Sequence, residues 1–389
     1  MITLDAATVR RLDEVLRRSV PRSQRRSATA TIHAENGCLR VWMQGAELLV
    51  RFLQSGDFGT GRCALRWNEF LKVLSQGRDG LELDPAEGTA RWSDRGVPRS
   101  GNIEPVADSA ADMDVPSSWH DASSEMLAAL AAAHGLCSPE RTRFATDRIC
   151  LRGDRGQIVA TDGHQLLLWD GFEFPWSDDL LIAAFPMLDV PELREQSGWR
   201  FGRTERHLVL EGGPWTFAAA IEKDGRFPSV DRAVPSPSAS DRTLRLSPAD
   251  AAFLRRTLPR LPGKDADFRP VTLDLNGHVG VLARETAGGS VTELHLCGSS
   301  YEGGPVRVVC NRDHLQAALN LGLAELRIAN PDRPLVFRDE RRRFVLMPLA
   351  AAGALHAQDA AFRLRSSDLQ ASPRPRPAAR VLTSAAGRA

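Results

Sequence analysis

No stretch of this 389-residue chain approaches the ~18 consecutive apolar residues that a helix needs to cross a bilayer. Its opening, Met1-Ile2-Thr3-Leu4-Asp5, has neither the charged nor the apolar region of a secretory signal. A cytoplasmic protein that does not engage a membrane is expected. The six cysteines, Cys38, Cys63, Cys137, Cys150, Cys297 and Cys310, include no Cys-x-x-Cys pair. Neither a zinc site nor a disulfide framework is indicated, and reduced, mostly buried thiols are expected. Net charge is nearly absent at +1, and it is unevenly placed: residues 351–389 hold six arginines (363, 365, 374, 376, 380, 388) against Asp359 and Asp368, which leaves the body at about −3. Such a body cannot coat nucleic acid with its whole surface, because neutralising phosphates takes concentrated Lys and Arg; a single basic face stays open. Catalytic patterns are missing too. Asp162 and His164 stand close together, but no Ser or Cys nucleophile lies near them in a strand-turn-helix setting and no metal-ligand spacing surrounds them. No catalytic residue, metal or cofactor is expected, and a hydrolase built on Asp162 and His164 is the weakest reading.

With 42% hydrophobic residues the chain can fill several cores, in two or three domains by length. It reads as one unit repeated three times, each opening with a helix and continuing into strands. In the first, Asp5–Ser19 is helical, with Val9, Leu12 and Leu16 on one face and Arg10, Arg11, Arg17 and Arg18 away from it. That basic side either faces DNA or is solvated, with Arg10 and Glu14 paired at i,i+4. The turn at Glu35-Asn36-Gly37-Cys38 leads into a strand partnered by Glu47–Phe52. A second helix, Trp67–Gln76, closes at Gly77, strands fill Gly80–Trp92, and Val106–Ser118 is a linker. The second unit has a helix at Ser123–Gly135, a turn-strand at Asp154–Val159 about 119 residues after the first, and a helix at Pro186–Gln196 that Pro191 interrupts. Strands at His207–Glu211 and Trp215–Ile221 and a linker at Val234–Ser240 complete it. In the third, Ser247 caps a helix with Pro248 at its first position and Ala251, Leu254 and Leu258 at helical spacing. Its turn-strand, Leu275–Val281, follows the second by about 121 residues, and its partner helix, Asn311–Asn320, closes at Gly322.

The chain is organised around Gln157–Asp170, where apolar residues flank Thr161-Asp162-Gly163-His164. Asp-Gly between two such runs signals a hairpin. The run Val159-Ala160-Thr161-Asp162-Gly163-His164-Gln165-Leu166 resembles the Val-Ala-Thr-Asp-Gly-His-Arg-Leu motif in the second domain of the bacterial sliding clamps, the β subunits of DNA polymerase III. Two further motifs stand where that family has them: Gly225-Arg226-Phe227-Pro228 followed by Arg232, and Phe344-Val345-Leu346-Met347-Pro348-Leu349.

The resemblance implies an α+β fold of three repeated clamp domains, each with two helices packed on antiparallel sheet, at 1–117, 118–241 and 242–353. Residues 354–389 then form a basic, Pro- and Ala-rich disordered tail, of which Ser372–Pro377 is the clearest part. Six domains of ~120 residues, each with a radius of gyration of about 14 Å, leave an opening of order 25 Å when set in a hexagon. A head-to-tail homodimer would thus encircle duplex DNA. The implied role is a non-catalytic processivity factor that a clamp loader places on DNA and that tethers polymerase or repair proteins through short clamp-binding peptides. An interaction scaffold that no longer encircles DNA is the alternative. The implied peptide groove comprises Leu151, Thr161, Gly163, His164, Gln165, Leu166, Pro228, Arg232, Val345, Met347, Pro348 and Leu349; the core of a domain interface could bury the same apolar side chains. DNA would face Arg10, Arg11, Arg17, Arg18 and Lys72 in domain one and Arg255, Arg256, Arg260 and Lys264 in domain three. Leu261 and Phe268 are the candidate dimer contacts, on edges near Gly101–Val106 and Phe268–Leu273. This chain departs from the family pattern at Gln165 and Ala350, where the family carries Arg. Domain two is also poor in base, with no cation between Asp121 and Cys137 and with Asp189, Glu192 and Glu195 against Arg194. Gln358–Phe362 faintly resembles a clamp-binding peptide itself.

Overall fold

Short polar side chains set where most of the helices begin. In this computed structural model, which describes residues 1–20, 25–107, 113–140, 143–236, 238, 242–285 and 288–370, Asp5 caps α1 (Ala6–Ser19) by accepting the Thr8 N–H at 2.7 Å. No such cap opens α2 (Trp67–Gln76), but Gly77 closes it, donating to the Val73 carbonyl at 2.9 Å. Ser123 caps α3 (Ser124–His134) through Met126 N–H at 3.1 Å. After α4 (Pro191–Arg194), Ser247 caps α5 (Pro248–Thr257) through Asp250 N–H at 3.1 Å, and Asn311 caps α6 (Arg312–Asn320) through Asp313 N–H at 2.7 Å. The last helix is α7 (Ser366–Gln370). Each side-chain cap satisfies an otherwise orphaned donor and is worth about 1 kcal/mol. The long helix expected at Pro186–Gln196 is a single turn. Pro191 starts it rather than interrupting it, because at the first helical position its missing N–H costs nothing.

The chain divides into two compact units, Met1–Arg232 with Glu340–Phe344, and Ala233–Asp339 with Val345–Ala389. In the first unit, a four-stranded antiparallel sheet runs Ile2–Leu4, Leu81–Asp84, Thr89–Asp94, Val97–Asn102, so the edge expected near Gly101–Val106 falls on its outer strand. A longer antiparallel ladder runs Gly61–Arg66, Thr29–Glu35, Cys38–Gln44, Leu48–Ser55, Trp215–Glu222, His207–Gly212, Arg200–Arg203. Its middle joint pairs Phe52 with Trp215 and Val50 with Phe217. From Trp215–Glu222 the pairing passes to Asp179–Ile182, then Ile149–Arg152, Gln157–Thr161 and Gln165–Asp170. On α1, Val9, Leu12 and Leu16 are buried, as the helical spacing requires.

In the second unit, Arg242–Arg245 lies between Ser300–Glu302 and Glu325–Ile328, and a five-stranded sheet runs Val306–Asn311, Pro270–Leu275, Val279–Arg284, Val291–His295, Ala360–Arg365. Two expectations are corrected here. Pro270–Leu275 pairs on both flanks, so the segment Phe268–Leu273 does not supply a free edge. Residues 360–370, expected within a disordered tail, form a strand and a helix instead: Phe362 and Leu364 alternate with Arg363 and Arg365, the period-two pattern of a strand, and pair in parallel with Val291–His295. Ser372–Pro377 and residues 108–112, 237, 239 and 240 of the expected linkers lie outside the described residues. All six cysteines are free. Burial pushes the Cys63 thiol up to about 11 and those of Cys137, Cys150 and Cys310 up to about 12, which keeps them as inert thiols.

Candidate functional site

The Thr161–Leu166 hairpin is closed by its own polar side chains. Thr161 pairs with Leu166 across the strands, and its hydroxyl donates to the Gln165 carbonyl at 2.6 Å while accepting the Gly163 N–H at 3.0 Å. Asp162 Oδ1 accepts the N–H groups of His164 and Gln165 at 2.8 and 2.9 Å, and its Oδ2 accepts Gln165 Nε2 at 2.9 Å. Gly163 has φ +93°, the left-handed conformation that only glycine takes without cost. Asp162 is thus committed to the turn, which leaves it poorly suited to act as a base. The side chain at 165 folds back onto the turn instead of extending away as a free cation would. Gly163 and His164 are exposed, whereas Thr161 and Leu166 are buried.

Nearby in sequence, Arg152 and Arg155 hold Asp231 at 2.7 and 3.0 Å, and these guanidiniums keep its carboxyl below the ordinary range. The short turn Asp231–Ala233 is fixed by this tie, with Arg232 exposed and Pro228 half-buried. Leu151 is corrected: at 1% exposure it lines a closed apolar pocket with Met126, Leu130, Ile158, Phe174 and Phe201. It therefore belongs to the core of the first unit. In the second unit Val345 is buried at 3% exposure, while Met347 is 43% exposed. Pro348 and Leu349 are half-buried; Pro348 bridges to Cys310 and the Leu349 N–H donates to Val309 at 2.7 Å.

Only three lysines, Lys72, Lys223 and Lys264, stand among the 50 basic residues. Arginine's rigid fork favours intramolecular ties, and several of the expected DNA-facing arginines are held by them. Arg11 donates through Nε to Glu192 at 2.7 Å and through Nη1 to Gln54 at 3.2 Å, and lies over the Phe52 ring at 5.5 Å. It is a structural strut, which corrects its assignment as a free cation. Arg18 meets Asp189 at 2.9 Å, Arg17 pairs with Asp13, and Arg10 stands 3.8 Å from Asp79 rather than pairing with Glu14. The acidic residues around α4 therefore neutralise part of α1. Lys72, Arg256, Arg260 and Lys264 are exposed and carry no ion pair among the described residues. Arg255 donates to the Leu319 carbonyl at 3.3 Å.

The proposed dimer contacts differ from each other. Phe268 is 61% exposed, with a left-handed φ of +59°. Leu261 is buried at 4% exposure, because Arg312, itself buried, donates Nη1 to the Leu261 carbonyl at 2.8 Å and Nη2 to that of Pro262 and draws the loop inward. The sequence reading missed Arg341. It pairs with Glu125 and donates to the carbonyls of Asp170 and Gly171, while Trp169 donates its indole N–H to the same Glu125 at 3.0 Å and Arg343 meets Asp170 at 2.9 Å. The run Arg341-Arg342-Arg343 was the available signal, and it reads as a solvated charge cluster until its distant carboxylates are known.

No protein-family model matches this chain, and no curated protein does. Solved structures do match. A DNA polymerase III β subunit from Borrelia burgdorferi in complex with a natural product aligns over 90% of this chain and 98% of its own, at TM-score 0.71 and 11% identity. The β subunit of Thermotoga maritima aligns over 90% and 99%, at 0.70 and 13%. The sliding clamp of Bartonella birtlesii bound to griselimycin does so over 90% and 99%, at 0.68 and 20%. The α+β architecture of helices on antiparallel sheet, together with this likeness along nearly the full length of each relative, makes the fold of this chain that of the DNA polymerase III β-subunit sliding clamps.

Proposed function

We propose that this protein is a sliding clamp, a non-catalytic ring that encircles duplex DNA and tethers polymerase or repair proteins through short peptides, loaded by a clamp loader. The observation that carries this reading is the fold, shared with bacterial β clamps over 90% of the chain. The ring is a head-to-tail homodimer of the three domains set out above, working in the cytoplasm; among the described residues no helix is long and apolar enough to cross a membrane. On the first unit the exposed Gly163, His164 and Arg232 are taken as polar contacts for such peptides. On the second unit the exposed Met347 is taken, by itself, as an apolar contact.

Light scattering at micromolar concentration is expected to give about twice the 42.6 kDa chain mass. A monomer persisting at high concentration would favour the second reading, a clamp-fold scaffold that does not encircle DNA. The neutralisation of α1 by Glu192 and Asp189 is the observation that speaks for that alternative.

DNA binding should be sequence-independent and steeply salt-sensitive, since contacts to phosphate carry no base information. The test of encirclement is retention on circular against linear duplex, and reversing Arg255 and Arg256 to Glu should reduce retention on the circle without unfolding the protein. Both side chains are exposed, so their loss leaves the core untouched. Unchanged retention would remove α5 from the DNA-facing surface.

A further inference from the structure

The four arginines of α1 all stand beside carboxylates, and burial sorts those pairs into two kinds. At about 100° per residue, Arg11 and Arg18 fall on one stripe of the helix and Arg10 and Arg17 on another. Each stripe holds one committed cation. Arg11 and Glu192 are only 30% and 13% exposed, and Glu192 also accepts the Trp215 indole N–H at 3.3 Å and Gln196 Nε2 at 3.4 Å. Arg17 pairs with Asp13, whose carboxylate is 9% exposed and stands 3.7 Å from Arg78 as well.

The other two pairs lie in solvent. Arg18 and Asp189 meet at 2.9 Å with 53% and 49% of their side chains exposed, and the Asp189 carboxylate has no other hydrogen bond or ion pair among the described residues. Arg10 and Asp79 are looser still, 3.8 Å apart and 64% and 60% exposed. Exposed pairs add little to stability, because water screens them and two side chains must be ordered to form them. The fold does not depend on Arg18 and Asp189 to join α1 to α4, since Arg11 and Glu192 already do so against Trp215. The effect of Asp189 is therefore on charge. A carboxylate offers a guanidinium the same acceptor oxygens that a phosphate offers.

From this sorting we infer, on the reading that α1 meets DNA, that Asp189, with Asp79 as its weaker counterpart, is a built-in competitor of nucleic-acid phosphate. In the free protein it occupies Arg18. When a duplex arrives the guanidinium passes to a phosphate oxygen, and Asp189 is left facing a polyanion. That exchange offsets part of the gain from releasing the counterions of DNA, so the carboxylate lowers the affinity of this face for any duplex, whatever its sequence. Arg11 and Arg17 take no part in it.

Asp189→Ala in the full-length chain is the direct probe, read by fluorescence anisotropy with a fluorescein-labelled short linear duplex. At about 0.1 M salt the affinity should rise about three- to tenfold over the unaltered chain, and the gain should shrink as added salt screens the charges. The thermal melt should stay in place. In an Arg18→Ala background the same substitution should gain less than about twofold, because the competitor then has no cation to withhold. Asp79→Ala should give a smaller gain that depends in the same way on Arg10. An equal gain with and without Arg18 would reveal a diffuse charge effect and overturn the inference. So would no gain, or a melt lowered as far as that of Glu192→Ala, which would make the pair a structural tie. Retention on circular against linear duplex, measured on the same proteins, separates this inference from the ring. No preference for the circle removes encirclement and leaves the exchange standing, whereas a clear preference with no gain in Asp189→Ala removes the exchange alone. If neither the unaltered chain nor any variant binds duplex at low salt, both fall.

Discussion

Met347→Asp is expected to abolish binding of the proposed short apolar clamp-binding peptide and to leave the folded protein intact. Met347 is 43% exposed in the free chain, so a carboxylate there stays hydrated, and a surface substitution of this kind changes stability by only about 0.5 kcal/mol. The complex pays the cost. Burying a Met side chain against a ligand contributes about 1.5–3 kcal/mol, and the variant both loses this and must strip water from a charge. Affinity should fall by more than about a hundredfold, at 1.4 kcal/mol per tenfold. Calorimetric titration with the peptide and a thermal melt of the free variant separate the two effects. An affinity within threefold of the unaltered protein would exclude Met347 as an anchor. Val345 cannot serve as this probe, since at 3% exposure an aspartate there would unfold its surroundings.

Trp215→Ala should be the most damaging single change in the first unit. The ring is fully buried, 4.7 Å from Phe52 and 5.9 Å from Phe217, and its indole donates to Glu192 at 3.3 Å. Glu192 in turn holds Arg11, which lies over Phe52. One side chain therefore links the ladder pairing of Leu48–Ser55 with Trp215–Glu222 to the ion pair between α1 and α4. Truncating a buried Trp costs about 3–5 kcal/mol, a large part of the roughly 5–15 kcal/mol that holds a typical protein folded. Urea denaturation should show a lower midpoint with little change in slope. A loss under about 1 kcal/mol would mean that the aromatic joint can collapse around the cavity.

What the residues disclosed by themselves was local. Ser247 was legible as a helix cap because it accepts an N–H only three residues away, and Asp162-Gly163 makes a turn for the same short-range reason; Asp5, Ser123 and Asn311, read only as the starts of helices, cap them over the same short distances. Arg11 was misread because its partners Gln54 and Glu192 stand 43 and 181 residues distant. Leu151 and Leu261 carry the same apolar signal whether they line a groove or a core; only the packing of Leu151 against α3 and the clasp of Arg312 on Leu261 decide. The strand at Ala360–Arg365 was hidden by the Pro-Arg composition that follows it, although its own alternation is strand-like. Gly163 and His164 on the first unit and Met347 on the second, all exposed, were legible as motif residues, but which of their sequence neighbours are buried was not.

The Arg341 tie has a consequence for synthesis. The Gln165–Asp170 strand acquires this clasp from a segment 171 residues further along, and at roughly 5–20 residues per second a ribosome needs about 10–35 s to deliver it. Throughout that interval Glu125 and Asp170 lack their guanidinium partners and the Asp170 backbone has no carbonyl to meet its N–H. The nascent first unit thus lacks this tie at one border until Glu340–Phe344, encoded well after the rest of the unit, has been translated.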